Sequence, residues 1–191
     1  MSASPSAPTP PPPPAPVVLP DWAQVSEKRR WHIARVVALL EQWAAGLDLP
    51  KDEASRWLAA GLLHDALRDA PETMLRALTG EGTRPVKLLH GPAAAVRAEQ
   101  EGERRQDVLD AVRHHTVGSA GWHRTGKALY LADFLEPGRT FLVSEREFIA
   151  RQVPHDFDAA FRQGVRLRID YALSQGGELF PETMELWNAV R

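Results

Sequence analysis

Apolar residues recur with the period of an α-helix along almost the whole chain beyond residue 20. In the first such segment Val36, Leu39 and Leu40 fall on one side of a helix, and similar spacings continue to the C-terminus. Prolines tolerated in a first helical turn and glycines near segment ends mark the boundaries. Because β-branched alternation is nearly absent, the pattern predicts an all-α helical bundle in a single globular domain. The predicted helices cover residues 22–46, 51–68, 71–79, 92–101, 103–115, 126–135, 144–153, 155–176 and 181–190.

The first 20 residues have a different composition and are mostly Pro, Ala and Ser. Proline restricts φ and removes a backbone donor, and the segment has too few large apolar side chains to build a core. We interpret residues 1–20 as a disordered tail and residues 21–191 as the folded domain. A Pro-rich tail can also bind an aromatic groove of a partner, and that alternative stays open.

Composition narrows the classes of function. Of the 191 residues, 43% are hydrophobic, which is enough for one domain with a sizeable core. The formal net charge of −2 offers no general attraction for a nucleic acid polymer or an anionic membrane. Cysteine does not occur in the sequence, so disulfides and thiolate metal sites are excluded. No secretion signal or membrane-spanning run is visible, and we expect a cytoplasmic protein.

Several polar residues lie on the predicted apolar sides of helices. Asp65, for example, follows Leu62 by three positions, and His115 follows Val112 by three. Each of these residues alone could be a hydrogen-bonded core residue. Several on separate helices are better explained by a shared metal centre, because buried polar groups are satisfied by one another or by a metal. The residues placed in this way are His32, Asp65, His115 and Asp133, with His90 directly before a predicted helix.

The order of these residues resembles a known family. His32, the pair His64–Asp65, and Asp133 are similar to the H…HD…D pattern of HD-domain phosphohydrolases, and His90 and His115 resemble the subset that binds two metals. The stretches LLHGPAAA, RHHTVG and YLADFLEPGR look like the YqeK family of bacterial HD proteins. The resemblance covers about residues 22–190. It implies an HD-domain helical bundle that cleaves diadenosine tetraphosphate symmetrically into two ADP at a di-iron centre.

The resemblance also implies a ligand set. Asp65 would bridge two divalent ions, and His64 and Asp65 would form the catalytic centre, where a water acidified to hydroxide attacks the phosphate chain. In RHHT the family has its ligand directly before the Thr, which selects His115 over His114, in agreement with the helical face. Imidazole and carboxylate ligands suit iron, manganese or zinc, so the residues themselves do not choose among these metals. The implied metal ligands are His32, His64, Asp65, His90, His115 and Asp133.

Four cationic residues near the motifs are candidates for binding the phosphates of a small dinucleoside polyphosphate: Arg29, Arg68, Lys127 and Arg139. Arg29 and Arg68 could equally be solvated surface charges, whereas the motifs around Lys127 and Arg139 favour a functional role for these two residues. Ser119 stands where the family usually has Arg, and this replacement removes a candidate phosphate contact, so the residues leave the preferred substrate open. Three alternatives therefore stay open: an HD phosphohydrolase acting on another nucleotide or a phosphomonoester, a metal-binding regulatory module without turnover, and a purely structural helical protein. The sequence does not decide the oligomeric state, and a homodimer is one option.

Overall fold

The computed structural model describes residues 14–191, and these residues form helices without any strand. The all-α prediction is confirmed. Within the same residues no helix is both long and apolar enough to cross a membrane. The predicted tail over residues 1–20 lies mostly outside the described part of the chain and stays a prediction. In order, the helices are α1 (Glu27–Gly46), α2 (Lys51–Leu63), α3 (Glu72–Thr79), a 3₁₀ turn (Val86–Leu88), α4 (His90–Gln100), α5 (Gln106–His114), α6 (Arg124–Leu135), α7 (Val143–Gln152), α8 (Phe157–Ser174) and α9 (Pro181–Val190).

Two helix ends differ from the prediction in ways that shape the site. Helix α1 begins at residue 27 rather than 22, because the Ser26 side chain caps it by accepting a hydrogen bond from the Arg29 backbone N–H. Helix α2 ends at Leu63 rather than 68, so the pair at 64–65 lies in the turns that follow it. Residues 66 and 69 there exchange backbone hydrogen bonds with Gln24, and these tertiary bonds replace a continued helix.

Two further boundaries place histidines at helix ends. Helix α4 begins at His90, two residues before the proline that was expected to open it, so Pro92 lies within its first turn. Helix α5 ends at His114, and His115 is the residue that directly follows it. Side chains at helix ends can converge from several directions, whereas side chains in helix interiors are held on one stripe.

Helix α6 is the central element of the bundle. It packs against α1, α2, α5, α7 and α8, and nearly all of its residues are buried. A helix that is apolar on all sides needs neighbours on all sides, and the sequence ALYLADFL meets that description except for Asp133. The buried carboxylate of Asp133 is therefore carried on a helix that has five neighbouring helices.

Helices α6 and α8 approach closely where α8 has a glycine. A Cβ at Gly164 would overlap a terminal methyl of Leu131 on α6, so a larger residue there would require that side chain to move within a closely packed core. One turn further along α8, the Arg168 guanidinium lies over the Tyr130 ring of α6, 4.2 Å from its centre.

Candidate metal centre

Four of the expected ligands meet between α1, the turn after α2, and α6. The Nε2 atoms of His32 and His64 are 3.4 Å apart, and each lies 3.6 Å from Oδ2 of Asp65. Asp133 brings its Oδ1 atom to 3.2 Å from the same nitrogen of His32. All four residues are buried. The ligand atoms of His32, His64 and Asp65 are close enough to one another to hold one ion, and Asp133 approaches this group through His32.

A second group meets on the other side of Asp65. The Nε2 atom of His90, at the start of α4, lies 3.1 Å from Oδ1 of Asp65 and 3.1 Å from Nε2 of His115. His115 approaches the same carboxylate oxygen at 3.6 Å. Both imidazoles are buried. The three residues form a group whose ligand atoms are close enough to hold one ion.

Asp65 thus presents its two oxygens to different groups of histidines. Oδ2 faces His32 and His64, and Oδ1 faces His90 and His115. Asp65 is therefore the residue that the two groups share. The donor set of imidazole and carboxylate oxygen fits transition-metal ions. Together with the burial of the whole cluster, this fit shows a divalent-metal site.

Backbone carbonyls orient two of the imidazoles. His64 Nδ1 donates to the Gly61 carbonyl at 2.7 Å, and His115 Nδ1 donates to the Val112 carbonyl at 2.8 Å. A carbonyl can only accept, so the proton of each neutral ring must be on Nδ1. The unprotonated Nε2 of each ring is left facing Asp65, which is the form in which histidine binds a metal.

His32 is oriented by a carboxylate instead. Its Nδ1 donates to Oε1 of Glu136 at 3.1 Å, and Glu136 is almost fully buried. The other oxygen of Glu136 accepts from Arg35 Nε at 2.5 Å and from the Gly138 backbone N–H at 2.7 Å. Every oxygen of this buried carboxylate is therefore satisfied, and its position is defined from both sides.

A buried arginine holds the loop that follows α6. Arg146 donates from Nε to the Phe134 carbonyl at 2.9 Å and from Nη1 to the carbonyls of Arg139 and Phe141 at 2.9 and 3.0 Å. Its guanidinium also contacts the Glu136 carbonyl. The loop carries both Glu136 and Arg139, so Arg146 sets the backbone on which these two side chains stand.

The carboxylates of the cluster are ionised. Burial by itself would raise the pKa of Asp65, but the surrounding imidazoles of His64, His115 and His90 favour the ionised carboxylate and hold the pKa well below its usual value. Burial would also raise the pKa of Asp133, but the charge of Arg139 and the hydrogen bond from His32 outweigh it, and this pKa too lies well below its usual value. Both residues are thus in the form that binds cations.

The pKa values of the buried histidines shift in different directions, depending on their surroundings. Burial lowers the pKa of His64 to about 4 and also lowers the pKa of His90. For His32 burial acts in the same direction, but hydrogen bonds to Asp133 and Glu136 outweigh it and raise the pKa. Neutral imidazoles are metal ligands, so His64 and His90 are in the binding form across the physiological range.

Arginines neutralise the two carboxylates. Arg29 Nη1 lies 2.7 Å from Oδ2 of Asp65, and Arg139 Nη2 lies 2.5 Å from Oδ1 of Asp133. Arg168 approaches the other oxygen of Asp133 at 3.5 Å and donates to the Thr116 carbonyl at 3.1 Å. Buried charges are usually paired in this way, and the paired oxygens of Asp65 and Asp133 are also those nearest His32.

A cleft of about 330 Å³ opens over the cluster. Asp65, His90, His115 and Asp133 line its floor, and five cationic residues line its walls: Arg29, Arg68, Lys87, Arg139 and Arg168. Three of these five were expected from the sequence as phosphate-binding residues. A basic cleft over a metal site attracts polyanions and increases the rate at which they associate.

Lys127 is not brought into this cleft. Its ammonium lies 3.6 Å from Asp158 and over the Phe161 ring of α8, on a different side of α6. The arrangement therefore gives no support to the expected contact between Lys127 and the phosphates. His114, set aside in favour of His115, is half-buried, and burial lowers its pKa.

Some residues of the site were missed by the sequence argument. Glu136 stands inside the quoted stretch YLADFLEPGR but had no role assigned; the only local signal for it is its position three residues after Asp133, directly beyond the predicted helix over 126–135. Arg168 and Lys87 carry no local signal, because their approach to the cleft depends on how α8 and the 3₁₀ turn pack.

The comparisons with known proteins agree with this geometry. The family model for the HD domain matches residues 30–138, more than half of the chain, and the chain belongs to the HD domain family. The expected membership is thereby confirmed.

Three proteins that are similar to this chain are all named as hydrolases. The chain is similar to a Bacillus subtilis protein named bis(5'-nucleosyl)-tetraphosphatase, symmetrical, at 27% identity over 86% of this chain and 90% of that protein. A protein of the same name from Halalkalibacterium halodurans is 30% identical over 54% of this chain and 55% of its own length. The crystal structure of a Clostridium acetobutylicum protein, described as a predicted HD superfamily hydrolase involved in NAD metabolism, has a TM-score of 0.73 at 28% identity and covers 87% of this chain and 90% of its own.

Proposed function

We propose that this protein is a metal-dependent hydrolase of dinucleoside polyphosphates that cleaves diadenosine tetraphosphate symmetrically into two ADP. The observation that carries the proposal is Asp65, whose two oxygens face separate groups of histidines on the floor of a basic cleft. The relatives named as symmetrical tetraphosphatases support the choice of substrate. A small-molecule partner also suits the size of the cleft.

The expected ligands would hold two divalent cations. His32, His64 and Asp133 would act with one oxygen of Asp65, and His90 and His115 with the other. When bound, the cations would lower the pKa of a water molecule towards neutrality and neutralise negative charge on the phosphate oxygens. Iron is our first proposal for the metal, following the family resemblance, and manganese and zinc also suit these ligands.

The remaining residues position the substrate. Asp65 and His64, at the centre of the cluster, are proposed as the catalytic centre. Arg68 contacts the Lys87 carbonyl and the His90 ring rather than a carboxylate, so its guanidinium can turn to a phosphate without breaking an ion pair. Arg29 and Arg139 are paired with carboxylates in this structure and would exchange part of that contact for phosphate oxygens. ADP is a good leaving group, so a dedicated general acid is not required.

The test is a product-resolved hydrolysis assay. Protein purified without oxygen and loaded with iron, manganese or zinc is given diadenosine tetraphosphate, and the products are separated. Two ADP for each substrate molecule is the expected result, and ATP plus AMP would contradict the symmetrical reaction. Asp65→Asn should abolish turnover, whereas the matched variant Asp158→Asn, on the exposed side of α8, should leave it unchanged.

Other substrates are tested in the same assay. The panel includes NAD, mononucleotides and a phosphomonoester, because an HD phosphohydrolase of different specificity is the main alternative. Binding of metal without turnover of any of these compounds would favour a regulatory module. A cytoplasmic location, independence from nucleic acid polymers and membranes, and a homodimeric state remain predictions.

A further inference from the structure

The cleft has an aromatic residue at its edge. Phe180, which directly precedes α9, is partly buried and lines the cleft together with Leu88. The remaining lining is formed mainly by the expected metal ligands and by cationic side chains. Phosphate binding requires neither an aromatic ring nor a leucine. This apolar part of the cleft therefore suits a different part of the ligand.

A chain of contacts leads from the expected metal ligands to this ring. Arg68 Nη1 is 3.3 Å from Nδ1 of His90 and 3.5 Å from the carbonyl of Lys87. The Lys87 ammonium in turn lies 5.6 Å from the centre of the Phe180 ring. Going outwards, the cleft therefore presents an imidazole, a guanidinium, an ammonium and an aromatic face. In a nucleoside diphosphate the charged phosphates are likewise followed, through the ribose, by a flat base.

The existing contact between Lys87 and Phe180 does not prevent a base from binding there. A cation over an aromatic face at an exposed site is worth a factor of roughly 2 to 5 in an equilibrium constant. Stacking of a base on an aromatic side chain is worth a factor of roughly 5 to 150. A base can therefore displace the ammonium from the ring, and the displaced cation is then next to the phosphates.

We propose that Phe180 is a stacking platform for the adenine of one ADP half of the substrate, with Lys87 paired to the phosphate nearest the ribose. Leu88 completes the apolar wall of this base subsite, which we define as Phe180, Leu88 and Lys87. The proposal rests on the proposed function in so far as it requires a nucleotide as the ligand. It goes further by assigning specificity for a base to residues outside the expected metal centre.

The test compares two ligands that differ only in the nucleoside. Binding of ADP and of inorganic pyrophosphate to manganese-loaded protein is measured by calorimetry for the wild type and for Phe180→Leu. The variant should bind ADP about 5- to 100-fold more weakly, because the flat face is lost, and should bind pyrophosphate as the wild type does. Phe180→Trp keeps an aromatic face and should retain ADP affinity. Phe148→Leu, at an exposed phenylalanine of α7 outside the cleft, is the matched control and should change neither affinity.

Three results would overturn the proposal: wild-type protein that binds ADP no more tightly than pyrophosphate, a Phe180→Leu variant that loses affinity for both ligands equally, or one that loses affinity for neither. Failure of the proposed function is distinguishable, because it is measured by products from diadenosine tetraphosphate. Base-dependent ADP binding without release of ADP from that substrate would overturn the hydrolase assignment and support the base subsite. Symmetrical hydrolysis with an unchanged KM in Phe180→Leu would support the hydrolase assignment and contradict the base subsite.

Discussion

Nδ1 of His32 lies 3.1 Å from Oε1 of Glu136, a residue 104 positions further along the chain. This hydrogen bond connects the first expected metal ligand, on α1, to the loop that follows α6. Such a bond sets the ring orientation of a metal-binding histidine and increases its basicity. Glu136 therefore orients the His32 ring without being one of the expected ligands.

Glu136→Gln should weaken metal binding about 10- to 100-fold, because the amide cannot replace the carboxylate that holds the His32 ring. Metal affinity is measured by competition with a chelator. Glu53→Gln, which removes a carboxylate paired with Arg124 at the surface, is the control and should keep wild-type affinity. An unchanged metal affinity in Glu136→Gln would mean that the hydrogen bond has no influence on the centre.

Asp65 and His115 should differ in the number of ions that their loss removes. Because Asp65 faces both groups of histidines, Asp65→Asn should reduce the metal content from about two ions per chain to less than one. His115→Gln affects one group only and should leave about one ion per chain. Elemental analysis after removal of loosely bound metal measures both. Equal loss in the two variants would argue against a bridging role for Asp65.

Arg68 and Lys127 offer a matched pair of cation removals. Arg68→Gln should raise KM for diadenosine tetraphosphate about 5- to 50-fold, as expected for one charge-assisted phosphate contact. Lys127→Gln should leave KM unchanged, because its ammonium pairs with Asp158 away from the cleft. Steady-state kinetics on both variants decide the matter. A larger effect from Lys127→Gln than from Arg68→Gln would reverse this assignment of the two residues.

We expect Glu103 to contribute stability that is lost in acid. The Arg105 side chain donates two hydrogen bonds to its carboxylate, at 2.9 and 2.6 Å, and the Arg105 backbone N–H donates a third at 2.9 Å; these contacts lower the pKa of Glu103 from 4.5 to about 2. A lowered carboxyl pKa stabilises the folded state above pH 4.5, and this contribution is lost as the pH falls from 4.5 towards 2. Solvent screening limits it to about 1 kcal/mol.

The measurement for this pair is the free energy of unfolding in urea at pH 7 and at pH 3. Glu103→Gln should destabilise the protein at pH 7, and its difference from the wild type should narrow at pH 3. Glu147→Gln, which removes one partner of an exposed pair with Arg151, should show little effect at either pH. A difference that widens in acid would contradict the direction of the pKa shift.

Gly164→Ala should destabilise the fold by about 1–3 kcal/mol, because a Cβ at this position overlaps the Leu131 side chain in a well-packed core. Gly82→Ala places its Cβ in open space and should have little effect. Thermal unfolding of both variants provides the comparison. Equal stability of the two would show that α6 and α8 can separate slightly without loss.

Much of the architecture follows from local sequence patterns. The period of the apolar residues was enough to predict an all-α fold, because a helix must bury one side and that side repeats every three to four residues. The same reasoning placed His32 and Asp133 inside the bundle, and the structure finds both buried. Helix ends were less predictable: the turn at His64–Asp65 depends on backbone bonds to Gln24, more than 35 residues earlier, and no local pattern shows them.

By itself the sequence determined the helical class and, together with the family resemblance, the six expected ligands. The tertiary structure alone decided that the two oxygens of Asp65 face different histidines, that Glu136 supports His32, and that Lys127 lies away from the cleft. The physical reason is that helical periodicity is a property of neighbouring residues, whereas these relationships depend on how helices far apart in the chain pack and rotate against one another.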